Sequence, residues 1–181
     1  LDYDDTLISA KITDGSKHII LVNSNGRVCR FSEESVRSMG REARGVRGIK
    51  LRRENSEKMV AMLVVDSNCQ DSLLLASSRG FGKRTRIEDF PRKGRGNFGV
   101  IGIQTSQRNG NVIGACQVQE SQDVLLISDG GTMVRTPVRD ISLLGRNTQG
   151  VTLIRLSDNE LLVGIDCIAK DGLDCLEPEN D

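Results

Sequence analysis

The chain has 181 residues, 37% of them hydrophobic, and its 25 basic side chains balance 25 acidic ones. That leaves room for one sizeable core or a ring of small ones. No apolar run reaches the length of a membrane-spanning helix, and no signal-peptide pattern opens the chain.

Taken in chain order, Leu7 to Ile12 reads as a short apolar stretch ahead of the first complete unit. Ile19 to Val22 then reads as a strand, Ser24-Asn25-Gly26 as a tight turn, and Val28-Cys29-Arg30-Phe31 as the alternating strand that returns from it. A helical turn fits within Ser32 to Ser38. The motif GREARGV follows at Gly40 to Val46, then Ile49, then a second apolar stretch at Met59 to Val65. The same series recurs with Leu73 to Leu75, the turn Ser78-Arg79-Gly80, Arg84, a helical turn at Ile87 to Phe90, GRGNFGV at Gly94 to Val100, Ile103 and Val112 to Val118. It recurs again with Val124 to Ile127, the turn Asp129-Gly130-Gly131, Met133-Val134-Arg135, GRNTQGV at Gly145 to Val151, Ile154 and Leu161 to Ile168.

A Gly-Arg-x-x-x-Gly-Val signature therefore appears three times, spaced by 54 and 51 residues. A repeat of this length means an array of modules, each covering its neighbour's apolar face. The runs are short, rich in Ile, Val and Leu, and bounded by Gly, Asn, Ser and Asp, which is the pattern of strands. Aromatics are scarce (one Tyr, four Phe, no Trp), so the core has to be aliphatic. The expected fold class is all-β, with propeller-like blades of about four strands each. Three modules are too few for a closed ring of the usual size. The expectation is an incomplete ring whose cut faces are exposed or covered by another copy of the chain. The organisation expected is residues 1–170 as blades, with repeats centred on 40–51, 94–105 and 145–156, and residues 171–181 as an acidic tail.

Each signature carries an arginine at one place: Arg41, Arg95 and Arg146. A second arginine follows each turn at constant offset: Arg30, Arg84 and Arg135. Two glycines five apart make a loop whose backbone can approach a partner closely, and an arginine beside it offers a fork for phosphate. The bland alternative is a structural corner, with glycine for the bend and arginine for solubility. Charge is unevenly placed. Residues 171–181 hold five acids and no base, which leaves 25 basic against 20 acidic side chains in the rest. Residues 27–53 hold nine bases and three acids. A basic body with an acidic tail suits a polyanion, with a tail that competes for the same surface, although an ordinary solvated terminus fits too. The expected phosphate contacts are Arg30, Arg41, Arg84, Arg95, Arg135 and Arg146, with Arg44, Arg47, Lys83 and Arg92 assisting. Phe98 reads either as a wedge at a base step or as a packed loop aromatic.

Catalytic chemistry finds no support. Tyr3 sits among Asp2, Asp4 and Asp5, where a nucleophile for phosphate is repelled. His18 has no paired acid and reads as a strand-edge residue. No Gly-Lys-Ser/Thr phosphate loop is present, and Lys17 and Lys170 have no partner suggesting Schiff-base chemistry. The five cysteines, at 29, 69, 116, 167 and 175, form no C-x-x-C pair and read as reduced thiols.

Several stretches resemble blades of the C-terminal domain of the bacterial DNA gyrase A protein: Glu34 to Arg37 through Gly45-Val46-Arg47-Gly48-Ile49, Gly80-Phe81-Gly82-Lys83-Arg84-Thr85, and Ile141 to Val151. The likeness runs from about Asp5 to Ile168 and follows the order of the later blades of that domain. The resemblance implies a β-pinwheel, whose blades exchange strands and whose basic perimeter wraps duplex DNA so that gyrase introduces negative supercoils. It implies as partners the remainder of the gyrase A protein and the ATPase subunit. It further implies no membrane, and a bacterial cytoplasmic, nucleoid-associated setting. ATP and Mg2+ would belong to other parts of the holoenzyme, with no cofactor in this chain. An acidic tail after the last blade is also a family feature. One departure stands out. The family's Gln-Arg-Arg-Gly-Gly-Lys-Gly box is absent, and its nearest counterpart, Lys93 to Gly99, agrees only at Arg95, Gly96 and Gly99. A C-terminal portion without the first blades explains this, as does the related topoisomerase IV subunit; the GRNTQGV ending favours gyrase. The start at Leu1 also suggests an excised piece of something longer. A propeller-type protein-interaction scaffold is the alternative from another class.

Overall fold

A computed structural model describes residues 5–52 and 56–168. The expected acidic tail, and Tyr3 with its neighbouring acids at 2 and 4, lie outside the described residues. Hairpins form where the turn glycines permit them. β1 (His18–Asn23) and β2 (Arg27–Ser32) pair antiparallel across Gly26, which takes φ +74°. β4 (Ser72–Ser77) and β5 (Phe81–Arg86) do the same across Gly80, and β8 (Asp123–Ser128) and β9 (Met133–Pro137) across Gly131. The apolar stretch after each signature returns to the other side of its hairpin. These strands are β3 (Met59–Val65) on β1, β7 (Val112–Val118) on β4 and β11 (Leu162–Ile168) on β8. The register shifts near the same end of all three pairings.

Each module thus supplies three strands to its own sheet. The fourth comes from the next module: β6 (Val100–Ile101) joins β2, and β10 (Val151–Thr152) joins β5. These two-residue strands are the tail of the second and third signatures. The result is three sheets, ordered β3-β1-β2-β6, β10-β5-β4-β7 and β11-β8-β9, in an open, propeller-like row of strand-exchanging blades. Right after β2, β5 and β9 comes a short 3-10 turn, at Glu33–Ser35, Ile87–Asp89 and Val138–Asp140. The first two fall inside the helical turns expected from sequence.

Alternation along the central strands divides the cores. On β1, Ile20 and Val22 face the second blade and share a cluster with Leu73, Leu75, Ile87, Phe90 and Ile103. On β4, Leu74 and Ala76 face the third blade and share a cluster with Val124, Leu126, Val138, Ile141 and Ile154. Leu73, Leu74 and Leu75 are all fully buried, so the middle blade is apolar on both faces. Each such leucine contributes about 1.5–3 kcal/mol through burial.

Leu7 to Ile12 does not form a strand. It is exposed coil, with Ile12 99% exposed. His18 is not at a strand edge either: it opens β1, which lies between β2 and β3, and is buried. Among the described residues no helix is long and apolar enough to cross a membrane.

Candidate nucleic-acid interface

The signature loops begin at open glycines. A Cβ placed at Gly40, Gly94 or Gly145 would meet nothing within 4 Å. The closing glycines differ. Gly99 and Gly150 hold φ of +70° and +79°, and a Cβ on either would strike the carbonyl of Val28 or Gly82 at 2.6 Å. They are needed so that the last residues of the signature can lie against the preceding hairpin. The structural-corner reading therefore holds for the closing glycines.

The loops run from module to module along one rim. Arg95 donates from Nε to the Ser35 carbonyl (3.0 Å) and from one terminal nitrogen to that of Arg47 (3.4 Å), and Gly96 donates to the Gly48 carbonyl (2.6 Å). The second loop thereby lies on the first. Gln104 extends the path, donating from its side chain to Asn147 (2.9 Å) and from its backbone to the Thr148 carbonyl (2.9 Å) in the third loop. Arg41, Arg44, Arg47, Arg92 and Arg95 are exposed on this rim, and Arg146 is half-buried in the third loop. Arg41, Arg47, Arg92, Arg95 and Arg146 carry no ion pair among the described residues.

The other arginine set is placed differently, and three expected contacts, Arg30, Arg84 and Lys83, need correction. Arg30 is buried. Its guanidinium donates to the carbonyls of Ile87 (2.9 Å) and Ser67 (3.2 Å) and meets His18 Nδ1 at 3.0 Å. Arg84 repeats the arrangement one blade on, donating to the Ile141 carbonyl (2.6 Å), the Arg139 carbonyl (3.4 Å) and Glu120 (2.9 Å). Both reach into the following module and satisfy carbonyls at its 3-10 turn, so they join blades. Lys83 is fully buried, with Nζ 2.6 Å from the carbonyls of both Gly145 and Arg146. Burial, and the Arg146 guanidinium beside it, pull its pKa down to about 8. Arg135 sits midway along β9, exposed, with its Nε paired to Asp123 at 2.6 Å. Buried Arg30, Arg84 and Lys83 offer no fork to a ligand on the rim. His18 is likewise structural: burial, then the charges of Arg30 and Arg92, lower its pKa, and the neutral ring accepts from Arg30.

A further group on the rim was not foreseen. Phe98 is half-buried in the second loop, with Lys50 Nζ 4.8 Å and the Arg52 guanidinium 5.2 Å from its ring centroid. Cation–π attraction holds both charges beside the loop, and Phe98 packs against them. Exposed Lys93 adds another cation. Its signal was the run Arg92-Lys93 just ahead of the second signature. That of Lys50 and Arg52 was alternation beyond Ile49. Cys29, Cys69, Cys116 and Cys167 are free thiols, and burial pushes Cys116 up to about 12.

Comparison with known proteins gives a consistent result. The family described as "DNA gyrase C-terminal domain, beta-propeller" matches residues 17–66, 71–115 and 122–169, one match for each blade. The DNA gyrase A protein of Pseudomonas aeruginosa is 54% identical over 166 residues, covering 92% of this chain and 18% of that protein. The DNA gyrase A protein of Escherichia coli is 43% identical over 166 residues, again covering 92% and 18%. The chain therefore spans less than a fifth of the length of these relatives. Among solved structures, a DNA gyrase A C-terminal domain superposes with a TM-score of 0.82 at 26% identity, over 93% of this chain and 56% of that one. A DNA topoisomerase IV C-terminal domain superposes at 0.84 with 25% identity, over 92% and 51%.

Proposed function

Because the chain belongs to the DNA gyrase C-terminal domain family, we propose that it binds duplex DNA without sequence preference along the signature-loop rim and bends it there. The observation that carries this reading is the continuity of the rim. Arg95 holds the Ser35 and Arg47 carbonyls of the first module, and Gln104 of the second module touches the Arg146 loop, so arginine-bearing loops follow one another along a single path. Guanidinium groups on loops reach phosphate oxygens, which carry no base code. Bending a 20–30 base-pair site by 40–90° costs on the order of 1–6 kcal/mol. Counterion release from neutralised phosphates offsets that cost and makes binding fall steeply with salt.

Within a gyrase, such a domain holds a curved segment for the cleavage core. We assign strand cleavage to the rest of the gyrase A protein and ATP hydrolysis to the ATPase subunit. The setting we assign is the bacterial cytoplasm and nucleoid. The equivalent role in topoisomerase IV is the second reading, favoured by the equally good superposition on that domain; the full-length relatives described above are gyrase proteins.

The test is anisotropy with a labelled linear duplex across a salt series. Replacing Arg41, Arg95 and Arg146 together with Ala should leave the circular dichroism spectrum intact and weaken binding. The slope of log affinity against log salt should fall by about 3. Binding that is flat with salt, or unchanged in the triple variant, ends the reading and favours a protein-interaction scaffold.

A further inference from the structure

A second group of exposed arginines stands off the rim, at the turn end of β5. Its members come from three segments: Arg79 from the turn between β4 and β5, Arg108 from the loop between β6 and β7, and Arg155 from the segment after β10. They gather about the Phe81 ring. The Arg108 guanidinium stands 5.0 Å from the ring centroid, and Arg79 and Arg155 line one open cleft with Phe81 and Thr152. Arg79 also lies against the Arg108 loop. A Cβ on Gly110 would meet its Cγ at 3.3 Å, and its backbone N–H donates to the Asn109 carbonyl (3.2 Å).

None of the three carries an ion pair among the described residues. Two acids line the same cleft. Glu160 is committed to the Ser128 hydroxyl and the Ser157 amide, and Asp158 is exposed. The repeat does not call for these cations. Asn25 and Gly130 stand at the place of Arg79 in the other two turns, and Gln104 at the place of Arg155 after the second signature. The group is therefore a feature of the second joint rather than a consequence of the period.

Its position relative to the rim follows from the strand ladder. The third signature runs antiparallel along β5. Lys83 holds the Gly145 and Arg146 carbonyls, Val151 pairs with Gly82, Thr152 pairs with Phe81, and Ile154 donates to the Gly80 carbonyl. Arg146 is thus supported at Lys83, and the second group at Phe81 and Gly80, two to three residues further along the strand. At about 3.3 Å per residue the supports are about 7–10 Å apart. The rim passes from loop to loop across the blades, so this offset is sideways to it. Long side chains open the gap between the charges further, toward the roughly 12 Å width of a major groove. Between the two rows lies β10, and residues 147–154 contain no acid.

We propose that Arg79, Arg108 and Arg155 hold phosphates of the second strand of a duplex whose first strand lies on the signature loops, so that this joint selects double-stranded over single-stranded DNA. The proposal rests on the rim reading above and adds the strand that the rim leaves unheld. A planar guanidinium takes two phosphate oxygens at once. Cation–π attraction to Phe81 orients Arg108 before the ligand arrives. Phosphates carry no base code, so the selection is for the number of strands and not for sequence.

Anisotropy with a labelled linear duplex and a labelled single strand of the same length, each across a salt series, tests this. Replacing Arg79, Arg108 and Arg155 together with Ala should lower the duplex slope of log affinity against log salt by about 3, and leave single-strand binding within about twofold. Replacing Arg41, Arg95 and Arg146 should weaken both ligands. Arg155→Glu alone, on an exposed segment, should also weaken duplex more than single-strand binding, with an unchanged circular dichroism spectrum. If the parent binds duplex and the Arg79, Arg108 and Arg155 variant binds it with the same slope, this proposal falls and the rim reading stands. Equal losses on duplex and single strand also overturn it, since both rows then follow one strand. If the parent binds no DNA, the rim reading falls and this proposal falls with it.

Discussion

The seam between blades and the rim around them use the same residue type, at the same period, for opposite ends. Arg30 and Arg84 are 7% and 6% exposed and donate to backbone carbonyls of the next module. Arg41 stands exposed on its loop, and Arg95, exposed as well, donates only to carbonyls at the surface of the first module. The difference lies in what each backbone position faces. Arg30 stands opposite Ile20 in the β1–β2 ladder, on the face that meets the second blade, and Arg84 stands opposite Leu74, on the face that meets the third. A long side chain on a face that a neighbour covers has to find acceptors there, and the 3-10 turn provides them. A loop arginine keeps its guanidinium at the surface, even Arg95 with its two carbonyl partners, and stays within reach of a ligand. Equal periodicity thus reports the repeat, while exposure reports the role.

The sharpest way to break this comparison is to remove one seam arginine and its uncovered equivalent. Arg84→Ala strips the donors from the Ile141 and Arg139 carbonyls in a buried joint. Bonds from a charged donor contribute about 1.5–3 kcal/mol, and acceptors left buried add to the loss. We expect about 3 kcal/mol of destabilisation in urea unfolding. Arg135→Ala removes a single pair, from a half-exposed guanidinium to the buried Asp123 carboxylate, and should cost less, about 1–2 kcal/mol. Equal losses in the two variants would mean that position in the repeat, not coverage by a neighbour, sets the role.

A second contrast is smaller and concerns backbone. Gly99→Ala forces a β-carbon toward the Val28 carbonyl at φ +70°, so both strain and collision act. The expected loss is about 2 kcal/mol. Gly45→Ala meets the same strain at φ +82° in open space, and should lose about 1 kcal/mol. The two thermal midpoints separate the collision from the strain. If they coincide, the closing glycine is needed only for its φ and not for the approach of the donated strand.

The period, the hairpins and their turns were legible in the sequence because each depends on local chemistry: aliphatic runs of strand length, and a Gly where φ turns positive. The incomplete ring followed from counting modules. The division of the arginines was not read, although the ladder held a clue. Arg30 lies two residues from Val28, and alternation puts both on one face, which the core cluster shows to be the buried one. Strand exchange came only with the family resemblance, because the donated strands are two residues long, too short to leave a periodic trace. The cations beside Phe98 were missed because Lys50 and Arg52 come from the first module and the ring from the second, a proximity only the joint creates.

The smallest expected effect distinguishes a buried cation of the seam from one of the rim by its titration. Lys83 loses its proton near pH 8 in the fold, because burial and then the Arg146 charge disfavour the ammonium. In the unfolded chain an ordinary lysine holds its proton to about pH 10.4. Between those values the unfolded state binds more protons than the native one, so this group makes stability rise with pH across the window. Below pH 8 both states are charged, and the cost of burying the ammonium is fully present and constant. Lys83→Met removes the titration together with the donors to Gly145 and Arg146. The difference in unfolding free energy between parent and variant should therefore be flat from pH 6 to about 7.5. It should then grow in the parent's favour by on the order of 1 kcal/mol per pH unit at most, while thiol titrations shared by both proteins cancel. Arg146→Ala should move the onset upward, because it removes the second cause of the depressed value. A difference that stays flat through pH 10 would place the Lys83 ammonium in a site as well solvated as the rim, and the contrast between the two regions would fail at this residue.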